Sequence, residues 1–118
     1  MIIKEDMTIE EIMIDLADEY ENFNWKLIRL SESTGYFVNE LKKETNNLNN
    51  IERIYAVAKC ESNDDVLFMI CDEKQGALWR IYHLTYSSYS KGYPKYEEFK
   101  SRKAVCDYIQ NKFIKEFL

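Results

Sequence analysis

The chain has 118 residues, of which 46% are hydrophobic and 31% charged, with a net charge of −5. That length fits one domain spanning residues 1–118, and the balance excludes a disordered or low-complexity chain. Three glycines and one proline leave no collagen-like or linker-like stretch, and no apolar run approaches the length needed to span a bilayer.

The charge is unevenly spread. Residues 1–24 carry one lysine against eight carboxylates, whereas residues 25–118 are net +2. An acidic surface repels nucleic acid and anionic lipid and attracts basic partners, so neither a nucleic-acid nor a membrane role is expected. The densest basic group, Lys91, Lys95, Lys100, Arg102 and Lys103, is diluted by Glu97 and Glu98. Lys4, Glu5 and Asp6 interrupt the apolar start, which does not fit a secretory leader. Cys60, Cys71 and Cys106 are an odd set with no C-x-x-C spacing, each inside an apolar segment. They read as buried reduced thiols in a cytoplasmic protein.

In chain order, Thr8-Ile9-Glu10-Glu11 matches a capping box, and Ile9, Ile12, Met13, Leu16, Ala17 and Tyr20 form one stripe at helical spacing. Glu10, Glu11, Asp15, Asp18, Glu19 and Glu21 fill the rest of that helix. Residues 25–30, WKLIRL, read as a strand. Tyr36-Phe37-Val38 favours a strand, whereas Asn39 to Thr45 favours a helix, so residues 36–50 are open between the two. Residues 51–60 are rich in strand formers, residues 66–71 (VLFMIC) read as a strand buried on both faces, and residues 77–86 alternate as a third strand. On that strand Ala77, Trp79, Ile81 and His83 share one face, and Leu78, Arg80, Tyr82, Leu84 and Tyr86 the other. Residues 87–95 read as a loop. Ser101 caps a final helix whose stripe is Ala104, Val105, Tyr108, Ile109, Phe113 and Phe117. The expected fold is α+β: an antiparallel sheet of about four or five strands, covered by amphipathic N-terminal and C-terminal helices.

No catalytic signature is present. There is one histidine, His83, no G-x-S-x-G elbow and no glycine-rich phosphate loop, and the carboxylate pairs Asp64-Asp65 and Asp72-Glu73 sit at turns. The expectation is therefore a non-enzyme with no catalytic residue, cofactor or metal. Five of nine tyrosines fall between Tyr82 and Tyr96, amid Ser87, Ser88, Ser90 and Gly92. Tyr with Ser and Gly is the mixture that protein-binding loops use: a rigid aromatic body with adaptable hydrogen bonding. Tyr82 should pack inside. The predicted partner-binding residues are Glu11, Asp15, Asp18, Glu19 and Glu21 with Tyr86, Tyr89, Tyr93 and Tyr96.

The stretch VLFMICDEKQGALWRIYHLTYS, then YPKYEEF, then SRKAVCDYIQNKFIKEFL resembles the C-terminal half of small bacterial immunity proteins. These neutralise polymorphic toxins, including those of contact-dependent growth inhibition. The likeness covers residues 65–118 and transfers no contact residues. It implies a cytoplasmic toxin inhibitor that binds a cognate toxin domain, often a basic nuclease. Two other classes stay open: a small enzyme or ligand-binding domain using His83 with Asp64, Asp65, Asp72 or Glu73, and a homo-oligomeric interaction module.

Overall fold

The computed structural model describes residues 3, 6–45, 48, 51–74, 76–87 and 92–118, with backbone alone at residue 52. Helix α1 (Ile9–Glu19) starts where the capping pattern places it. Thr8 Oγ1 accepts from the Glu11 N–H at 3.1 Å, and the Glu11 carboxylate accepts from the Thr8 hydroxyl at 3.2 Å. Ile9, Ile12, Met13 and Leu16 are buried as the stripe requires, while Ala17 is exposed.

Strand β1 (Trp25–Leu27) is shorter than the expected 25–30, and a 3-10 turn at Leu30–Glu32 follows it. Of the undecided segment, Tyr36–Glu44 forms helix α2, which excludes a strand at Tyr36-Phe37-Val38, while residues 46, 47, 49 and 50 lie outside the described residues. Val38 and Leu41, three apart, bury one face of it, and Lys42 and Lys43 in the last turn suit the helix dipole.

Strands β2 (Ile51–Cys60), β3 (Asp65–Asp72) and β4 (Gly76–His83) follow, joined by short turns. Gly76 has φ +76°, a left-handed conformation that costs glycine nothing. β4 ends at His83, not at Tyr86. An unanticipated strand, β5 (Lys95–Phe99), starts at the last residue of the expected loop. The chain re-enters the sheet there after a cis Tyr93–Pro94 bond. Helix α3 (Arg102–Phe117) begins at Ser101, whose hydroxyl accepts from the Ala104 N–H at 3.0 Å.

The sheet is a five-stranded antiparallel meander in the order β1-β2-β3-β4-β5, so the α+β expectation holds. Each face carries its own core. On one, α1 and α3 cover Ala58, Cys60, Leu67, Trp79 and Ile81, with Ile12, Leu16, Ile109 and Phe113 as their contribution. On the other, α2 brings Val38 and Leu41 onto Ala56, Phe68, Ile70, Leu78 and Tyr82. VLFMIC is apolar throughout because β3 is the central strand and has a covered face on each side. Among the described residues, no helix is long and apolar enough to cross a membrane.

Cys60 and Cys106 are buried thiols and Cys71 is half-buried. Burial pushes the Cys106 thiol up to about 12, which leaves it an unreactive core residue at neutral pH.

Candidate functional site: an acidic helix and a braced tyrosine pair

All the predicted acidic residues are exposed: Glu11, Asp15, Asp18 and Glu19 because the apolar stripe of α1 takes the opposite side, and Glu21 in the turn beyond the helix end, not on the helix as expected. Within this face lies Ile14, 55% exposed, with Glu10, Glu11 and Asp18 one helical turn away and Asp15 beside it. An apolar side chain in a carboxylate ring has the make-up of a contact centre with a charged rim.

The tyrosines divide. Tyr82 is fully buried, as expected, and its hydroxyl accepts from Arg80 at 2.9 Å. Tyr89 lies outside the described residues, as do Ser88, Ser90 and Lys91. Tyr93 and Tyr96 are half-exposed, but their ring faces already hold cations of this chain. Lys95 Nζ lies 5.5 Å from the Tyr93 centroid, and the Arg80 guanidinium 4.8 Å from that of Tyr96. Arg80 in turn donates to Glu98 at 2.8 Å.

Tyr86 is different. It has φ +55°, a conformation that costs a non-glycine residue roughly 1 kcal/mol. What holds it there is Glu44, 1% exposed at the end of α2. One Glu44 carboxylate oxygen accepts from the Thr85 N–H at 2.6 Å and the Thr85 hydroxyl at 2.7 Å; the other accepts from the Tyr86 N–H at 2.8 Å. So fixed, the Tyr86 ring, 39% exposed, stacks on Tyr36, 64% exposed, with centroids 6.5 Å apart. Burial raises the Tyr86 phenol pKa, and the neighbouring Asp64, Tyr36, Glu40 and Glu44 raise it further.

Burial alone would raise Glu44, but the hydrogen bonds from Glu40, Thr85 and Tyr86 outweigh it and hold Glu44 below the usual carboxylate range. Glu40, hydrogen-bonded to Glu44, is held above it, with burial and the Glu44 charge adding to the effect. Tyr36, Glu40 and Glu44 recur every four residues on α2, a spacing visible in the chain once α2 is read as a helix. Sequence reasoning passed over them because residues 36–50 were undecided.

The tertiary structure does not unite the predicted site. The acidic helix α1 packs on one face of the sheet, while Tyr86 and Tyr96 touch residues of the α2 face, Tyr36 and Tyr82.

The alternative site centred on His83 gains one element. His83 Nδ1 lies 2.5 Å from Asp65 Oδ1, and Lys112 Nζ lies 3.7 Å from Asp65 Oδ2. The Asp65 N–H donates to Asn63 Oδ1 at 2.8 Å. Asp72, by contrast, closes its own turn through the Lys74 N–H at 2.7 Å. The depression beside Asp65, between Asn63, Lys112 and Glu116, is about 10 Å³, room for roughly one water and no metabolite. Among the described residues no group of His, Cys, Asp and Glu is arranged to hold a metal ion.

No family model, no curated protein and no solved structure matches this chain.

Proposed function

We propose that this chain is a cytoplasmic immunity protein that binds a basic toxin domain and blocks it through its surface. The observation that carries this reading is the braced pair Tyr36–Tyr86. Two exposed aromatic rings stack, and the backbone of one, Tyr86, is held by a buried carboxylate in a strained conformation, with Asp64 and Glu40 nearby. Such a pair accepts an arginine or lysine side chain: cation–π attraction contributes about 0.5–2 kcal/mol according to desolvation, and the nearby carboxylates add to it. Holding the Tyr86 backbone in place lowers the entropy cost of ordering that residue on binding. Strain at an exposed aromatic is the kind of expense that structures concentrate at binding sites.

The α1 face has a separate task in this reading. Its field reaches about 8–10 Å at physiological salt, so it can steer a cationic partner without sharing the Tyr36–Tyr86 contact. The resemblance of residues 65–118 to immunity proteins supports the same class of partner.

Co-expression with the protein encoded immediately upstream tests the proposal. A stable complex is expected, with Tyr86→Ala and Tyr36→Ala each weakening it by about 2 kcal/mol, the loss typical of an anchor residue. Absence of a complex with that neighbour removes the immunity function. A complex indifferent to both variants removes the site.

A further inference from the structure

We infer that the free edge of β2 is a second docking site, which takes an extended segment of another polypeptide as an added strand. This inference stands apart from the immunity reading, because the edge selects the opposite charge.

β1 covers β2 only at residues 58–60. Next along that edge, Ile28 N–H donates to Val57 C=O at 2.9 Å and Ala56 N–H donates to Ser33 C=O at 2.7 Å. At the far end, Ile51 N–H donates to Leu48 C=O at 3.4 Å. Between these brackets no strand pairs with the outer side of β2 among the described residues. Ala56 points its N–H outward, and Ile54, two residues back with no bulge between, points its N–H and C=O the same way. Among the described residues no group takes the Ile54 donor and acceptor, and such an edge is the pattern that templates strand addition.

A groove lies on each side of this edge. On the α2 face, Val38, Leu48 and Ile51 with Lys42 line one of about 410 Å³. On the α1 and α3 face, Leu27, Val57, Met69 and Trp79 with Arg102 line one of about 730 Å³, with Glu10 at its lip. Arg53 and Tyr55 border both. An added strand turns successive side chains to opposite faces, so it would fill the two grooves alternately. Arg53 and Lys42 are exposed, and neither has an ion-pair partner among the described residues. The occupant that fits is an extended segment apolar toward both grooves, with acidic residues placed to meet Lys42 and Arg53.

Selection from a displayed library of random peptides about eight residues long, near the upper end of ordinary strand lengths, tests this on the intact chain. Enriched peptides should carry apolar residues at both odd and even positions, with one or more Asp or Glu among them. Their affinity should fall about ten-fold or more in Arg53→Glu and Lys42→Glu, and amide exchange at Ile54 should slow in the complex. Ile54→Pro should abolish binding, since an edge strand tolerates proline where the N–H faces outward. Ile54 also packs in the core, so the two exposed charge reversals keep the test decisive if that variant unfolds. A library that yields no binder, or binders that leave Ile54 exchange unchanged, overturns the inference. So does a concentration-dependent dimer that protects Ile54, which would put a second copy on the edge.

Discussion

Glu44 shows how one residue links core to surface. It is a buried carboxylate that receives two backbone N–H groups and a hydroxyl from the segment after β4. Hydrogen bonds to a charged group are each worth about 1.5–3 kcal/mol, and removing an acceptor strands its buried donors. Glu44→Gln should therefore destabilise the fold by about 2 kcal/mol near neutral pH, measured by urea unfolding. Its pH dependence follows from the direction of the shift. A carboxyl held below its ordinary value of 4.5 contributes stability that is full above that value and is lost as pH falls through the lowered one. The gap between wild type and Glu44→Gln should therefore close in acid. Glu40 is held above 4.5, so its stabilising contribution is present in acid and lost as pH rises. Glu40→Gln should accordingly leave the fold slightly more stable than wild type near neutral pH. A Glu44→Gln gap that widened in acid would contradict this account.

Among the elements, the terminal helices were the most legible. Thr8 and Ser101 cap as their positions suggested, because an N-cap depends on neighbours three residues away. Ser101→Ala should cost about 1 kcal/mol, seen as a lower urea midpoint with an unchanged slope. α2 was ambiguous since β-branched and aromatic residues at its start favour a strand locally. The deciding term is burial of Val38 and Leu41 against the sheet, a contact with residues far along the chain. Leu41→Ala should cost about 2–5 kcal/mol, the range for a fully buried leucine. β5 escaped notice for the converse reason. KYEEF is polar and mostly exposed, as an edge strand's sequence should be, and carries little strand signal of its own. Its register with β4, Tyr96 opposite Tyr82 and Glu98 opposite Arg80, supplies what the local sequence lacks.

At the scale of the molecule, the sheet separates two surfaces that the sequence had suggested were one. If α1 steers and Tyr36–Tyr86 anchors, their variants should affect different steps of binding. Asp18→Lys should slow association with a basic partner, with the deficit shrinking as salt is added. Tyr86→Ala should mainly speed dissociation. The two losses should add, because the residues share no contact. Stopped-flow and surface-binding kinetics over a salt series would check this, and strong coupling between the variants would mean that the partner bridges both faces at contact distance.

What the chain determined by itself was local. Helical stripes, caps at Thr8 and Ser101, three strands joined by short turns and an acidic first element all follow from residues within a turn or two of one another. The tertiary structure decided what depends on partners distant in sequence: the helical state of residues 36–44, the existence of β5, the reach of Glu44 to Tyr86 across 42 positions, and the open edge at Ile54. The physical reason is that periodicity records which side of an element is apolar. Which element comes to cover that side, and which backbone groups are left bare, is set only when the layers assemble.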